Sequence, residues 1–391
     1  MERDTPPAPA PARAHGRGAV LALHRHVGNR ALGRLLQRTP SGLKDAKPTS
    51  GFTSDALTYW RDAGNQSKGI SEFASFLATK ANEALKALDV PAMKIVFDSG
   101  IPYPGAFYAD DWVMRLNTTR WGKKQGAREL KDLTVDEAAA GAATIYHEAR
   151  HAEQRFRVAR MLAADSKAKT PADVADEIAR TLKLKNRSVA VAAAAKPLAD
   201  TSANAALRAE ASDWQAITVG DHAAYRDVVN AWVLEAIGEY NAIGRLGAKP
   251  MDIGSAKDAI DPVITGWKTG GKRAKFITAH IKQVEAKKKK TAADAAVLAN
   301  LKAIQTAMTK VANEWSAIES RWGATGMNKK LEKVRDFRDH IFALYKALQA
   351  AYESQAHEQD AFETGNPVAD QFKAAVNPAP AKTRDPVPAT R

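Results

Sequence analysis

The sequence predicts an α+β fold that is predominantly α, with a small strand-rich region before one long helix. Three observations carry this prediction. Apolar residues recur at helical spacing over most of the 391 residues. Period-two alternation, which is typical of strands, is confined to residues 93–117. Residues 292–320 repeat apolar side chains at alternating spacings of four and three, and this pattern adds a helical, coiled-coil-like insertion.

The N-terminal part predicts little regular structure. Residues 1–50 are rich in Pro, Ala and Arg and are expected to form a disordered basic leader with a short amphipathic segment at 21–37. Residues 39–54 resemble a loop. Helical spacing starts near Asp55 and continues to about Leu88, so the folded core is expected to begin near residue 51.

Two strands are predicted after this helical region. Met93–Phe97 is the first, and it ends at the turn residues that follow. Pro102, Pro104 and Gly105 predict a turn-rich connection. Trp112, Met114 and Leu116 then alternate with polar or smaller residues, which predicts a second strand at 112–117.

A long helix is predicted to begin near Thr134. Thr134 and Glu137 have the spacing of a capping box, and acidic residues suit the positive end of the helix dipole. One apolar stripe follows at spacings of three and four and continues to about Ala164. Its members are Ile145, Ala149, Ala152, Phe156, Ala159 and Ala163.

The remaining sequence predicts further helices and a division into parts. Helices are expected at 172–184, 203–217, 222–244, 273–289, 292–320 and 329–356, with Ile277, Ile281 and Val284 facing the 292–320 seam. The predicted parts are the leader (1–50), a core (51–250), a helical insertion (251–328), a C-terminal helix (329–375) and a disordered Pro-rich tail (376–391).

Composition excludes several classes of protein. The chain has no cysteine, which excludes disulfide scaffolds, thiolate metal sites and thiol nucleophiles. No apolar run is long enough for a membrane span or a Sec signal, so we expect cytoplasmic synthesis, possible export as cargo and no stable membrane insertion. The net charge is +14, but residues 1–50 alone carry +6. We therefore expect no nucleic-acid partner.

The residues that carry chemistry are His147-Glu-Ala-Arg-His151, inside the long helix. Positions i and i+4 lie on one helix face, so two imidazoles can bind one metal ion. Glu148 is rotated by about 100° and can act as general base without being a ligand. This is the HExxH arrangement of zinc peptidases, so we predict Zn²⁺ bound by His147 and His151 and no organic cofactor.

A catalytic zinc site needs a third protein ligand. The residue six positions after His151 is Arg157, which excludes the short three-histidine pattern. Glu358 is favoured because it follows an amphipathic helix and has acidic neighbours, of which Asp360 could orient a ligand histidine. His357 is its main rival. The full set of candidates is Glu210, His222, Glu235, Glu239, His280, His340, His357 and Glu358.

Tyr146-His-Glu-Ala-Arg-His-Ala-Glu-Gln154 resembles the active-site helix of zincin-like metallopeptidase domains in bacterial toxins and effectors. Residues Glu358 to Gly365 resemble the third-ligand segment of glutamate-type zincins, although the spacing differs. The resemblance implies a zincin-like core in which His147, His151 and Glu358 bind zinc and Glu148 is catalytic. It also implies that the 112–117 strand lines the cleft and pairs with a peptide or protein substrate.

Residues Leu23 to Arg38 resemble a Gly-Asn-containing, Leu-Gln-Arg-ending segment of bacterial proteins associated with extracellular contractile injection systems. This resemblance implies that residues 21–38 contact components of such a system. The predicted function is therefore a zinc metallopeptidase that acts as an effector or toxin. The alternative is a non-enzymatic structural or assembly component in which HExxH has no catalytic role.

Overall fold

The computed structural model describes residues 42–122, 128–246, 271–320 and 327–377, together with Thr265 and Trp267. These residues form mainly helices and one three-stranded sheet, which confirms the α+β, predominantly α prediction. They belong to one compact unit that begins at Ser41. None of the described helices has the length and hydrophobicity that crossing a lipid bilayer requires.

The described helices fall into two groups along the chain. The first group consists of α1 (Ala46–Arg61), α2 (Ile70–Ala87), α3 (Val135–Asp165), α4 (Pro171–Thr181), α5 (Arg187–Ala195) and α6 (Ala205–Thr218). The second group consists of α7 (Ala223–Leu246), α8 (Lys272–Glu285), α9 (Ala292–Ser320), α10 (Met327–Glu353) and α11 (Ala356–Val376).

The sheet consists of β1 (Lys94–Phe97), β2 (Gly105–Tyr108) and β3 (Val113–Leu116) in the order β1-β3-β2. β1 pairs with β3 in parallel, and β2 pairs with β3 antiparallel. Both predicted strands are confirmed within a residue or two. β2 was predicted as part of a turn-rich connection. The turn residues are present, but the four residues that follow Pro104 pair with β3.

Helix α3 is the central element of the first group. Thr134 and Glu137 form the predicted capping box, in which each side chain accepts a hydrogen bond from the other residue's backbone N–H. The predicted apolar stripe is almost completely buried. Helices α2, α5, α6 and α11 pack around it. Because so many elements contact α3, its polar residues are also buried, and these form the site described below.

A second hydrophobic cluster is built by α7, α8, α9 and α10. The predicted seam of α9 is buried, and α8 faces it with Ile277, Ile281 and Val284, as expected. Of the described helices, α8 and α9 are the two that lie wholly inside the predicted 251–328 insertion. Helices α7 and α10 complete the cluster because two helices alone leave much of their apolar surface in water.

Three sequence predictions about element bounds are wrong. Residues 46–54, predicted as leader and loop, belong to α1, whose Phe52 and Thr53 are buried. Helix α5 was not predicted at all. The helix predicted at 329–356 ends at Glu353, and α11 starts separately at Ala356, so Glu358 lies in the first turn of a new helix rather than at the end of an old one. The 1–41 part of the leader and residues 378–391 of the tail lie outside the described residues.

Helix α11 approaches α3 most closely at Gly365. A Cβ atom built at Gly365 would lie 2.9 Å from the Ala143 carbonyl oxygen and 3.1 Å from the Cβ of His147. Glycine at this position therefore allows the backbone of α11 to lie directly against α3. The packing holds Glu358, two turns earlier on α11, opposite the histidines of α3.

Replacing Gly365 with alanine is expected to push α11 away from α3. We expect the free energy of unfolding to fall by about 1–3 kcal/mol, because overpacking forces backbone shifts. Gly238 in α7 is a matched control, because a Cβ there meets nothing within 4 Å. Gly238→Ala should instead stabilise the protein by up to about 1 kcal/mol. Urea denaturation of both variants measures the difference. Equal changes in the free energy of unfolding would contradict the close contact between α11 and α3 at Gly365.

Candidate metal centre

His147, His151 and Glu358 form a group that could hold a metal ion. The Nε2 atoms of the two histidines are 3.1 Å apart. Glu358 Oε2 is 3.5 Å from His147 Nε2 and 3.4 Å from His151 Nε2. Among the described residues, this is the one group of three or more such side chains with this arrangement. The structure thus brings together the three residues that the sequence predicted as ligands.

The separations fit a small tetrahedral ion. Bonds of about 2.0–2.1 Å at tetrahedral angles place ligand atoms about 3.3 Å apart. The observed separations of 3.1–3.5 Å lie around this value. Two imidazole nitrogens and one carboxylate oxygen also leave one coordination position free, and a cavity lies beside His151 and Glu358. The donor set and its spacing therefore suit a metal ion with an open position.

The neighbouring Gln154 orients His151. Its amide Oε1 lies 2.9 Å from His151 Nδ1, and an amide oxygen can only accept, so Nδ1 carries the proton and donates it. Nε2 is then the nitrogen that faces the cluster, and it can bind a metal ion once its own proton is displaced. Gln154 Nε2 donates to the carbonyl of His357 and to Asp360 Oδ2, both at 2.8 Å. Gln154 therefore joins α3 to α11 at the level of the metal ligands.

The prediction that Asp360 orients a ligand histidine directly is wrong. Asp360 accepts hydrogen bonds from Arg150 Nε at 2.7 Å, from Gln154 and from Lys44 Nζ at 3.0 Å. Asp360 lies two residues after Glu358 and so occupies another face of α11. It acts through Gln154, whose amide group spans the distance to His151.

A buried ion network lies behind the ligands. Arg150 is 1% exposed and contacts Glu153 at 2.5 Å as well as Asp360. Glu153 also binds Arg157, and its Oε2 accepts the backbone N–H of Leu43 at 3.0 Å. Burial alone would raise the pKa of Asp360, but the charge and hydrogen bond of Arg150 outweigh it and hold that pKa well below its usual value. The network fixes the relative positions of α3, α11 and the residues just before α1.

Asp360→Asn is expected to lower the free energy of unfolding at pH 7 by about 3 kcal/mol, because Arg150 stays buried with one carboxylate fewer. The folded-state pKa of Asp360 is lowered, so its stabilisation is present above the unfolded pKa of about 4 and is lost as pH falls below it. The difference between wild type and variant should therefore shrink at pH 3. Urea denaturation at both pH values measures it. Asp176→Asn is the control. It removes an exposed ion pair with Arg187, and it should lower the free energy of unfolding by less than about 1 kcal/mol.

Glu358 is ionised and held in place by several groups. Tyr352 Oη donates to its Oε2 at 2.8 Å, and His357 Nε2 lies 3.4 Å from its Oε1. Burial would raise the pKa of Glu358, but His151 and the other imidazoles hold it well below its usual value. Burial likewise would lower the pKa of His151, and the Glu358 carboxylate raises it to about 9. Without a metal ion, protonated His151 therefore pairs with the Glu358 carboxylate, and a metal ion that binds His151 must displace its proton.

Glu148 is positioned by the edge strand β2. Its Oε2 accepts the backbone N–H of Phe107 at 2.7 Å. The expectation that residues 112–117 line the cleft is wrong, because β3 is the central strand and pairs with a neighbour on both sides. β2 pairs with no other described strand along its second edge, and the Phe107 backbone groups point to that edge. The strand nearest the general-base candidate is thus the one the sequence did not predict.

The other candidates for the third ligand do not join the group. His357 is buried beside it, with its Nε2 directed at Glu358 and not at the two ligand histidines. The remaining six have other neighbours: Glu210 lies near Arg157, His222 contacts Asp294, His280 stacks on Tyr225, Glu235 and Glu239 approach Arg273, and His340 lies near Glu314.

Sequence reasoning missed two groups that complete the site. Tyr352 lies in the last turn of α10, and no motif marks it. The Phe107 N–H is a backbone group that nearly every residue type has, so the sequence does not indicate its role. No protein-family model, no curated protein and no solved structure matches this chain. The site is therefore interpreted from its own geometry.

Proposed function

We propose that this protein is a zinc-dependent metallopeptidase that hydrolyses peptide bonds, with a zincin-like core built by α3, α11 and the β-sheet. The observation that supports the proposal best is the convergence of His147, His151 and Glu358 at tetrahedral separations. Two nitrogen donors and one oxygen donor are a common ligand set of catalytic zinc. The residues come from helices about 200 positions apart in sequence, so their convergence does not follow from local spacing.

Bound zinc would polarise the scissile carbonyl and lower the pKa of a coordinated water toward about 7. The chain itself supplies the proton transfers. Glu148, next to His147 in sequence and not a member of the ligand group, takes a proton from water and delivers it to the leaving nitrogen. The Phe107 N–H holds its carboxylate before substrate arrives.

The free edge of β2 supports a peptide as substrate. The Phe107 carbonyl lies at a position that points away from β3, so an extended peptide can pair with this edge as a fourth strand while the Phe107 N–H stays with Glu148. Such a strand would pass directly beside Glu148. A backbone-paired substrate would present its amide bonds to the general base in a fixed orientation, as efficient catalysis requires.

The experiment that tests this function combines metal content with cleavage. Purified protein should contain about one zinc per chain by mass spectrometry and should cleave members of a proteome-derived peptide library. Removing the metal with a chelator should abolish cleavage, and adding zinc back should restore it. A zinc-loaded protein that cleaves no peptide would favour the non-enzymatic assembly component. Protein without metal, even after zinc is supplied, would remove the proposal altogether.

We further propose delivery as an effector or toxin by a contractile injection system. This rests on the resemblance of residues 21–38, which lie outside the described residues. Co-purification of the full chain with the components of such a system, compared with a chain that lacks residues 1–38, tests it. Equal recovery of the two chains would remove the proposed role of this segment and leave the peptidase proposal intact.

A further inference from the structure

A cavity of about 640 Å³ extends from the metal-ligand cluster. It begins at His151 and Glu358, passes the end of β2 and reaches the junction of α6 and α7. Its size lies in the range of sites that hold small ligands or side chains of a bound peptide. The walls of this cavity therefore contact whatever group lies next to the reacting bond.

Arg155 forms part of the wall one helical turn beyond His151. Its Nη2 donates to the carbonyl of Leu182 at 2.6 Å, whereas its Nε is buried and has no partner among the described residues. No described carboxylate lies within ion-pair distance of Arg155, although Asp110 is near enough to attract it weakly. Burial, reinforced by the neighbouring charge of Arg226, lowers the pKa of Arg155 to about 10. This guanidinium is thus partly desolvated and has no counterion among the described residues.

Two further cations line the same cavity. Arg226 donates to the carbonyl of Thr218 at 2.8 Å and pairs with the exposed Asp227. Lys183 is held with a φ of 53°, a left-handed conformation that is uncommon for a residue other than glycine. Asp110, on the opposite wall, is already bound to Lys185 at 2.9 Å. The carboxylates of the wall therefore have cationic partners, whereas no described carboxylate pairs with Arg155 or with the exposed Lys183, and of these two only Arg155 has a buried nitrogen without a partner.

We propose that Arg155, supported by Arg226 and Lys183, forms a subsite for a carboxylate of the substrate. This inference rests on the proposed peptidase function and names its substrate class: peptides with Asp or Glu close to the cleaved bond. A bound carboxylate would accept charge-assisted hydrogen bonds from the Arg155 guanidinium at the cavity wall and would supply the counterion that this group lacks among the described residues. It would also offset the repulsion between the two guanidinium groups.

The strand direction places this subsite on one side of the scissile bond. β2 runs from Gly105, which lies beside Glu148, toward Asp110 on the cavity wall. A peptide that pairs antiparallel with β2 therefore has its N-terminal part at Arg155. Arg155 lies about 6 Å along α3 from His151, a distance that one or two extended residues span. The carboxylate belongs to a side chain at the first or second residue before the cleaved bond, since a chain-terminal carboxylate would lie on the other side.

Cleavage profiling of the zinc-loaded full chain tests the subsite. The library contains internal peptides with amidated C-termini and a parallel set with free C-termini. We expect Asp or Glu to exceed Asn or Gln by about tenfold at one of the two positions before the cleaved bond, with or without amidation. Arg155→Gln should bring this ratio close to one. Cleavage confined to free C-termini, at a fixed distance from the end, would overturn the side-chain assignment.

Arg160→Gln is the matched control. Arg160 lies on the same helix and also donates to a backbone carbonyl, that of Lys196, but it does not line the cavity. Its variant should keep the acidic preference. An acidic preference that survives in Arg155→Gln, or that both variants lose equally, would overturn the role of Arg155.

A binding measurement separates this proposal from the peptidase proposal. Acetyl-Glu-Glu-hydroxamate (the Glu compound) and acetyl-Gln-Gln-hydroxamate (the Gln compound) share the zinc-binding group and differ only in the charge of the two residues before it. Calorimetry with zinc-loaded protein should show about tenfold tighter binding of the Glu compound, and Arg155→Gln should remove the difference while it keeps the affinity for the Gln compound. Equal binding of both compounds to wild type overturns the carboxylate subsite alone. Failure to load zinc overturns both proposals.

Discussion

Glu148→Gln is expected to keep bound zinc and to lose peptide cleavage by a factor of about 10²–10⁴, the usual contribution of a general base. Glutamine has the shape of glutamate and cannot take a proton from water. Its amide can still contact β2, where the Phe107 N–H donates to the present carboxylate at 2.7 Å. Cleavage rate and zinc content are measured on the same preparation.

Two controls make this result specific to proton transfer. Glu83→Gln changes an exposed glutamate of α2 that pairs with Lys80, and it should leave the rate unchanged. The pH dependence of the residual rate should also change, because the group that must be ionised has been removed. A Glu148→Gln enzyme with full activity would exclude Glu148 as the general base, whatever its zinc content.

The helix that carries this chemistry could be predicted from sequence because its signals are local. The capping box at Thr134 and the spacing of His147 and His151 depend only on residues of one helix, and helix geometry fixes where they point. The strands at 94–97 and 113–116 follow from the same kind of local alternation. In each of these cases, residue type and spacing are sufficient.

The missed elements depend on partners that sequence spacing does not show. Helix α11 contains Gly365 and Pro367, which usually mark the end of a helix. Gly365 is tolerated because it is the point of closest approach to α3. β2 follows two prolines and becomes a strand only because β3 offers it a partner. Tertiary contacts outweigh local preference at both places.

The sequence favours Glu358 among eight candidates, but two of the reasons for this choice differ from the structure. It was placed at the end of an amphipathic helix, whereas it lies in the first turn of α11. Its acidic neighbour Asp360 was expected to orient a histidine, whereas Gln154 does so. Glu358 does lie beside both histidines, but the reason is different. Gly365 and the Arg150–Asp360 pair fix α11 against α3, and Glu358 then faces His147 and His151.

Glu358→Ala and His147→Ala are each expected to remove bound metal, and His357→Ala is expected to retain it. Glu358 Oε2 lies within 3.5 Å of both ligand nitrogens, and its loss leaves two imidazoles. A site with two protein ligands does not hold zinc against dilution. The His357 imidazole approaches Glu358 at Oε1 rather than at Oε2, the oxygen nearest the other two histidines, and its Nδ1 has no partner among the described residues. Removing it should lower affinity by about tenfold, the lower end for a group that supports a ligand.

Metal content by mass spectrometry, followed by competition with a chelator of known affinity, distinguishes the two adjacent residues. His357 and Glu358 are adjacent on α11, so a general disturbance of the helix should affect both variants alike. Loss of zinc from Glu358→Ala alone therefore identifies a ligand. Loss from His357→Ala with retention in Glu358→Ala would exchange their roles and would require α11 to rotate by about 100°. Such a rotation would break the Arg150–Asp360 pair and bring Gly365 out of contact with α3, so the metal assay also tests the packing of this helix.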